Sequence, residues 1–378
     1  MIGNLEWSQL QALWWIIASL VGSLFLFLTF VQGGQTLLFT VAKNDLEKSL
    51  VLNSIGRKWE LTFTTLVLFG GAMFAAFPLF YATSFGGAYW VWILILLTFV
   101  IQAVSFEYRK KPDNLLGSKT FEVFLFINGS IGLLLIGAAV GTFFTGSNFT
   151  LNEYRAVTWT HPLGGLEAAF VPFNVALGLF LVFLARVLGA LYLVNNIDHP
   201  ELEGRTRRAA FTNLLWSLPF LLFVLYRLVT MEGFAVNPQT GAVFMEPAKY
   251  LHNLLAMPVL PVLLLAGLVL VIAGVVGTSF LGKNRGIWFG GLGTVLVGLS
   301  LFLVAGLNNT AFYPSKADLA SSLTIHNASS SHYTLTAMTY IALAVPFVLG
   351  YIAYVWRTMD AKRLSAADLE GEGAEDLY

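Results

Sequence analysis

Residues 88–111 read AYWVWILILLTFVIQAVSFEYRKK, an apolar run that ends in a cluster of basic side chains. A helix of about 20 residues crosses the roughly 30 Å hydrocarbon core of a bilayer. In lipid, backbone polar groups must be satisfied within the segment, which favours a helix. The stretch therefore predicts a transmembrane helix over 88–106, with its basic end on one side of the membrane.

Eight further runs have the same character, so the sequence predicts nine transmembrane helices. They lie near 12–31, 61–83, 121–144, 168–194, 209–230, 253–280, 286–312 and 334–356. A polar gap, Asn195–Arg208, divides the chain near its middle. We therefore expect an all-α polytopic membrane protein with one membrane domain (1–363), built as two four-helix bundles plus one extra helix.

The basic residues fall in alternate gaps between these runs. If the N-terminus is outside, the inner gaps hold all 21 lysines and arginines except Arg155, Arg227, Lys249 and Lys316. This is the positive-inside pattern. It predicts an N-out, C-in topology, in which the acidic stretch 364–378 forms a disordered cytoplasmic tail.

Composition supports a membrane protein and excludes several other classes. Hydrophobic residues make up 57% of the chain and charged residues 11%, against about 25% charged residues in soluble domains. A formal net charge of zero argues against a nucleic-acid partner. The absence of cysteine excludes disulfides, thiolate-held copper and cysteine-ligated iron–sulfur clusters.

The histidines are poorly placed for binding haem inside a helix bundle. All of them lie in gaps or at the ends of runs, with no pair at matching depth: His161, His199, His252, His326 and His332. We therefore expect neither haem nor metal ligands in this chain, and no catalytic residue of its own.

Two carboxylates are placed at the inner ends of successive runs. Glu60 follows Trp59 at the start of the second run, and Glu107 closes the third run four residues before Lys111. Ionisable groups at an apolar boundary are costly and often functional, and their pKa values are tunable. These residues are candidates for a proton entry. The alternative is that both carboxylates are interfacial anchors whose heads reach water.

Other polar residues have structural interpretations. Gln32 and Gln35 flank a glycine pair at the inner end of the first run, which indicates either a close helix contact or a plain helix exit. Arg109 is a candidate structural or subunit contact. Glu122 and Glu167 are interpreted as helix caps or anchors. Asn128 and Asn174 are interpreted as interhelical hydrogen-bonding groups.

The Ser/Thr-rich stretch 321–336 predicts a cap for the ninth helix, or a partner contact through Ser329 and Ser330.

Three ordered segments resemble subunit II of the cytochrome bd quinol oxidases. They are LNSIGRKWELTFTTLVLFGGAMFAAFPLFY at 52–81, FEYRKK at 106–111 and SLTIHNASSSHYTLTAMTY at 322–340. The likeness extends over nearly the whole chain. It implies a nine-span subunit of a multi-pass complex in the bacterial cytoplasmic (inner) membrane.

The resemblance also implies function. A partner, subunit I, would carry haem b, haem d and the quinol site, and would reduce O₂ to water with cytoplasmic protons and without proton pumping. This chain, inactive alone, would stabilise subunit I and help form the proton path through Trp59, Glu60, Glu107 and Lys111. The family also allows a structural quinone and a small single-helix accessory subunit.

The chain departs from the family pattern at several positions. Gln32 and Gln35 stand where two aspartates are common, Gln102 where an arginine is frequent, and His326-Asn327 where a Trp-Asp pair is common. These differences indicate a divergent branch and leave the choice between ubiquinol and menaquinol open. A secondary transporter and a membrane scaffold with no part in proton delivery are the rival interpretations.

Overall fold

The computed structural model describes residues 5–111 and 114–369. Its α-helices are α1 (Trp7–Leu28), α2 (Phe30–Val41), α3 (Asp45–Gly56), α4 (Trp59–Ala76), α5 (Pro78–Tyr81), α6 (Tyr89–Tyr108), α7 (Ser118–Ile127), α8 (Leu133–Thr145), α9 (Pro172–Asn196), α10 (Pro200–Thr230), α11 (Lys249–Ala256), α12 (Val259–Ser279), α13 (Gly286–Gly306), α14 (His332–Ala342) and α15 (Val345–Met359). Two antiparallel hairpins pair β1 (Phe149–Leu151) with β2 (Val157–Trp159) and β3 (Gly233–Val236) with β4 (Val243–Glu246).

Nine helical segments in the described residues are long and apolar enough to cross a membrane. This confirms the predicted all-helical, nine-span fold. We number them in chain order: span 1 (Trp7–Val41), span 2 (Asp45–Ala76), span 3 (Tyr89–Tyr108), span 4 (Ser118–Thr145), span 5 (Pro172–Asn196), span 6 (Pro200–Thr230), span 7 (Val259–Ser279), span 8 (Gly286–Gly306) and span 9 (His332–Met359).

Several helices begin or end away from the predicted apolar runs. Span 1 continues ten residues beyond 31, to Val41, and span 2 begins at Asp45 rather than near 61, because both extensions are covered by neighbouring helices instead of lipid. The α4 helix ends at Ala76, short of the predicted 83. Pro78 lacks a backbone N–H and disfavours the helical conformation at the residue before it, Phe77.

Span 5 lies at the centre of the molecule and is the most buried of the nine. It packs against spans 1, 4, 6 and 8. Small residues allow the close crossings: a side chain added at Gly33 would meet the Ala185 carbonyl oxygen, and one added at Gly137 would lie 2.4 Å from the Gly178 backbone. This is the small-residue interface typical of membrane helices.

The helix contacts follow the predicted grouping, with one difference. In the first group, span 1 packs against spans 2 and 4, and span 4 packs against span 3. In the second group, each of spans 5–7 packs against the next one along the chain, and span 8 packs against span 5. However, span 5 also packs tightly on spans 1 and 4, and span 8 on span 1, so the two groups share one interior. Span 9 lies at the periphery, against spans 1 and 2.

The loops after spans 4, 6 and 8 form a cap over one end of the bundle. Isolated bridges join them, pairing Ser147 with Ser315 and Ala235 with Thr310. Tyr313 stacks on Phe149 of β1 at 5.4 Å between ring centroids. We call this end, which carries both hairpins, the hairpin end, and the opposite end the basic end.

Part of the predicted tail is ordered at the basic end. Leu364 is 3% exposed; its amide donates to the Asn196 carbonyl (2.7 Å), and the Asp198 amide donates to the Leu364 carbonyl (2.8 Å). We call residues 361–369 the C-terminal strap. The strap is held because Leu364 finds an apolar pocket and backbone partners, which local composition does not reveal. Residues 370–378 lie outside the described residues.

Candidate functional site

The break between α3 and α4 positions Trp59 and Glu60 at the basic end. Glu60 is exposed and lies in the first turn of α4, where the helix dipole favours a negative charge. Its carboxylate forms no ion pair within the described residues. The side chain is therefore open to the surroundings of the bundle at the basic end.

An aromatic stack brings Glu60 and Glu107 to the same region. The ring of Trp59 lies parallel to that of Phe106, with centroids 6.0 Å apart and planes 13° apart. Phe106 is buried, and the next residue, Glu107, is exposed. The first turn of α4 and the last turn of α6 are thus neighbours, and a glutamate follows each stacked ring in the chain.

The basic residues after Glu107 differ in their surroundings. Arg109 is buried, whereas Lys110 and Lys111 are exposed. Desolvation by partial burial and the positive charge of Arg109 lower the pKa of Lys110, and Asp45 opposes that change. The Lys111 ammonium makes no ion pair with any described residue, and its backbone N–H donates to the Tyr108 carbonyl.

A groove beside Glu60 separates span 2 from span 9. It has a volume of about 320 Å³ and is lined by Arg57, Lys58, Glu60, Leu61, Thr64, Tyr351, Ile352, Val355, Trp356 and Met359. Its polar side chains come from the start of α4 and its apolar ones mostly from α15. Through this groove, Glu60 faces any molecule that covers the bundle between spans 2 and 9.

Lys58 forms the inner wall of that groove and ties three spans together. Its ammonium is 3.0 Å from a carboxylate oxygen of Asp360 and 5.3 Å from the centroid of the Trp356 ring. The Tyr192 hydroxyl of span 5 donates to Asp360 at 3.4 Å. Sequence reasoning treated Lys58 only as an inner-gap charge, because Asp360 lies about 300 residues away in the chain.

The structure places Arg109 in a buried ion triad whose centre is Glu122. Arg109 donates from Nε (3.1 Å) and Nη2 (2.8 Å) to Oε1 of Glu122, and the Lys48 ammonium donates to Oε2 at 2.8 Å. Glu122 is only 2% exposed. The interpretation of Glu122 as a cap or anchor is therefore wrong. The position of Glu122 inside an apolar run, one turn from a basic gap, is the feature of the sequence that indicates a buried ion pair.

Gln32 and Gln35 lie inside span 1, since α2 continues to Val41. Both side chains are fully buried, and neither amide has a hydrogen-bond partner among the described residues. The glycine pair between them packs against span 5, where a side chain at Gly189 would lie 2.4 Å from the Gly34 nitrogen. The stretch is a close helix contact and not a helix exit.

Ser329 and Ser330 bond to the hairpin ends of spans 1 and 2 in the same chain. The Gln11 amide donates to Ser329 Oγ at 2.6 Å. The amide and hydroxyl of Ser330 donate to the carbonyls of Ala76 (2.8 Å) and Ala75 (2.6 Å), which the break before Pro78 leaves without helical partners. The predicted cap of the ninth helix is Ser331, whose Oγ accepts from the Thr334 amide.

Comparison with known proteins gives a consistent result. The family model described as cytochrome bd terminal oxidase subunit II matches residues 10–359. Cytochrome bd-I ubiquinol oxidase subunit 2 of Escherichia coli is 28% identical, with 99% of this chain and 100% of the relative covered. Cytochrome bd ubiquinol oxidase subunit 2 of Bacillus subtilis is 26% identical over 92% of this chain and 95% of the relative.

A solved structure has the same fold. A chain of the bd oxidase from Geobacillus thermodenitrificans superposes with a TM-score of 0.64 at 14% sequence identity, covering 92% of this chain and 98% of that one. The family model spans nearly the whole chain, including all three segments on which the resemblance rested. This chain belongs to the cytochrome bd terminal oxidase subunit II family.

Proposed function

We propose that this chain is the haem-free subunit II of a bd-type quinol:O₂ oxidoreductase and that it stabilises a haem-bearing subunit I. Family membership supports the oxidase assignment. Haem b and haem d in subunit I would carry the reduction of O₂ by quinol, and this chain alone would be inactive. Its histidines support this division, since all lie in loops, in the short α11 or at helix starts: His161, His199, His252, His326 and His332.

The basic end of this chain provides a proton entry for that reaction. The stack of Trp59 on Phe106 is the observation that carries the proposal, because it gathers Glu60 and Glu107 on neighbouring helices. Both carboxylates are exposed, and Lys111 stands one turn beyond Glu107. Carboxylates at a membrane boundary can take up and pass on protons.

The basic end faces the cytoplasm in this proposal, within a bacterial inner membrane. The distribution of lysine and arginine supports this orientation, as does the need of O₂ reduction for cytoplasmic protons. The hairpin cap then faces the opposite side.

The periphery around spans 2 and 9 is the proposed contact with subunit I. Span 9 is the least buried span, and it exposes aromatic side chains such as Phe347 (81%) and Tyr354 (69%). The groove beside Glu60 opens between the same two spans. A subunit on this face would cover the groove and turn Glu60 towards the interior of the complex. Lipid would cover the remaining apolar faces of the bundle. A structural quinone or a single-helix accessory subunit would also bind on these faces.

The test is a double substitution, Glu60→Gln with Glu107→Gln, in the purified complex. We expect quinol-driven O₂ uptake to fall at least about 10-fold, while haem content per complex stays unchanged. The matched control is Glu153→Gln, an exposed carboxylate at the hairpin end, which should leave turnover unaffected. Assays with ubiquinol and menaquinol analogues also determine the quinone preference.

Two outcomes would contradict the proposal. Unchanged turnover in the double variant would leave only the scaffold role. Purification of a solitary chain without a haem-bearing partner would reopen the transporter interpretation. A transporter would have broken helices at matching places in both halves, whereas span 1 is interrupted at Thr29 and its counterpart, span 5, is one continuous helix.

A further inference from the structure

Span 3 carries a buried polar stripe along one face. Thr98, Gln102, Ser105 and Arg109 follow each other at intervals of four, three and four residues, which places them on one side of a helix. All four are buried, whereas the opposite face exposes apolar side chains such as Leu97 (54%). The stripe reaches from the ion triad at the basic end into the middle of the span. Its length is about 16 Å at 1.5 Å per residue.

Span 4 bears matching polar groups opposite the stripe. Glu122 binds Arg109 in the ion triad, and the Asn128 amide donates to Thr98 Oγ1 at 3.4 Å. Asn128 begins a π-helical turn, Asn128–Gly132. Such turns are rare and frequently occur at functional sites.

Span 1 packs on the same turn and carries two more buried amides, Gln32 and Gln35. A side chain added at Gly129 would lie 2.3 Å from the Gln32 carbonyl oxygen, and one added at Gly132 would lie 2.6 Å from Thr98 Oγ1. The π-helical turn therefore touches spans 1 and 3 together. We call Gln32, Gln35, Gln102 and Asn128 the amide cluster.

The amide cluster is buried and largely unsatisfied by the protein. Each of its four residues is 0% exposed. Both side-chain amide atoms of Gln32, Gln35 and Gln102, and the carbonyl oxygen of Asn128, have no hydrogen-bond partner among the described residues. Native proteins satisfy nearly all such buried groups, because burying an amide without a partner is costly. Something other than these side chains must bond to them.

Water satisfies this set of groups better than a cation does. Each glutamine presents two N–H donors and one acceptor oxygen, and a water molecule donates and accepts. A bound cation would use only the oxygens and would face the three glutamine NH₂ groups. No carboxylate belongs to the cluster, so a cation would gain no charge neutralisation there.

We propose that the stripe binds a file of ordered water molecules, held by the amide cluster and extending to the Arg109–Glu122 ion pair. This site is separate from Glu60 and Glu107, which are exposed on the surface of the bundle, and it does not depend on their proposed role. It would bring water from the basic end to about half the depth of a roughly 30 Å hydrocarbon core. The file ends among neutral amides.

Radiolytic hydroxyl footprinting in ¹⁸O-labelled water tests the site in the complete complex. Ordered interior waters label the side chains next to them, and mass spectrometry locates the label. The reporter is Leu125, which lies between Glu122 and Asn128 on span 4 and is 0% exposed. We expect Leu125 to be labelled several-fold more than a comparably buried leucine in a dry environment.

Leu254 provides the matched control. It is 7% exposed and adjoins Asn253, a buried amide that donates to the Val304 carbonyl (2.9 Å) and Thr310 Oγ1 (2.8 Å) and accepts from Asn308 (2.9 Å). Replacing Gln32→Leu and Gln102→Leu together should lower the labelling of Leu125 to that of Leu254. The comparison within the wild-type protein stands even if this variant does not fold.

A high-resolution cryo-electron microscopy map of the complex provides the second measurement. Separate densities within hydrogen-bond distance of Gln32, Gln102 and Asn128 would support the proposal. It would be overturned by equal labelling of Leu125 and Leu254, by amides bonded directly to each other, or by a single density surrounded only by oxygen atoms, which would indicate a cation.

Discussion

At the scale of single residues, burial distinguishes carboxylates that look alike in the sequence. Glu60, Glu107 and Glu122 each stand where an apolar run meets basic residues. Glu60 and Glu107 are exposed, whereas Glu122 is 2% exposed and lies between two cations. A buried ion pair can cost as much in desolvation as it gains in attraction, but removing one partner leaves an uncompensated charge. Glu122 therefore has a structural role that neither of the others can share.

The first prediction concerns this triad. Glu122→Gln should destabilise the protein by about 3 kcal/mol, because Arg109 is left buried without a counter-charge. Thermal unfolding of the detergent-solubilised complex measures the effect. Glu107→Gln is the control and should change stability by no more than about 0.5 kcal/mol. Equal stability of the two variants would show that the triad contributes nothing to the fold.

The second prediction concerns pH and the loop before span 9. His326 Nδ1 lies 2.7 Å from Gln11 Oε1, and desolvation by burial lowers the pKa of His326 from its ordinary value of 6.5. A lowered histidine pKa means that the unfolded chain binds more protons in this range. The stability that neutral His326 contributes is therefore complete above pH 6.5 and is lost as the pH falls towards the folded-state pKa.

Because the side chain is partly exposed, this loss should be only about a few tenths of a kcal/mol. Unfolding temperatures measured between pH 8 and pH 5 provide the check. The His326→Gln variant should lose less stability than the wild type over this range. A steeper loss in the variant would contradict the assignment.

At the scale of helices, backbone contact explains where the spans end and how closely they pack. Span 1 extends to Val41 because its last turns are covered by spans 2, 4 and 5, and Gly33 crosses span 5 with no room for a side chain. In α4, by contrast, Gly71 has no heavy atom within 4 Å of the position a Cβ would take. The two glycines have the same local sequence signature, a paired glycine in an apolar run, but different surroundings.

The third prediction uses this pair. Gly33→Ala should destabilise the protein by about 2 kcal/mol or more, since the added methyl group overlaps the Ala185 carbonyl and the backbones must separate. Gly71→Ala should be neutral or stabilising by up to about 1 kcal/mol, because alanine is the better helix former. The yield of assembled complex and its thermal unfolding measure both. Similar effects at both positions would refute the close crossing.

At the scale of the whole molecule, span 9 is held by its two ends. Its hairpin end is bound through Trp14, which donates to Thr339 Oγ1 at 3.0 Å. Its basic end is held by the Lys58–Asp360 ion pair and by the C-terminal strap, where Arg363 binds Glu203 at 2.5 Å. Between these points the span exposes most of its surface. The strap therefore fixes a helix that the bundle itself covers poorly.

The fourth prediction tests the strap by truncation. A chain ending at Met359 loses Asp360, Arg363 and Leu364, and should give several-fold less assembled complex, because span 9 loses its anchor at the basic end. A chain ending at Leu369 keeps every contact described for the strap and should assemble normally. Haem absorbance per membrane protein measures assembly. Equal yields from the two truncations would show that the strap is dispensable.

The sequence by itself determined the class of fold, the number of spans and the family. Each of these depends on properties that add up along the chain: the transfer free energy of apolar runs, the distribution of basic residues, and motifs such as 52–81. The hydroxyl-rich stretch 321–336 predicted a cap for the ninth helix, since a hydroxyl before a helix needs only local geometry, and the structure assigns that cap to Ser331.

Only the tertiary structure decided what the buried polar groups contact. Glu122 became the centre of an ion triad, Lys58 the anchor of span 9, and Gln32 and Gln35 part of an interior amide cluster. Hydropathy measures the preference of one side chain for lipid or water and contains no information on neighbours from distant parts of the chain. A buried polar side chain needs a hydrogen-bonding partner. Packing supplies that partner from other spans for Glu122 and Lys58, whereas no described residue supplies one for the side chains of Gln32 and Gln35.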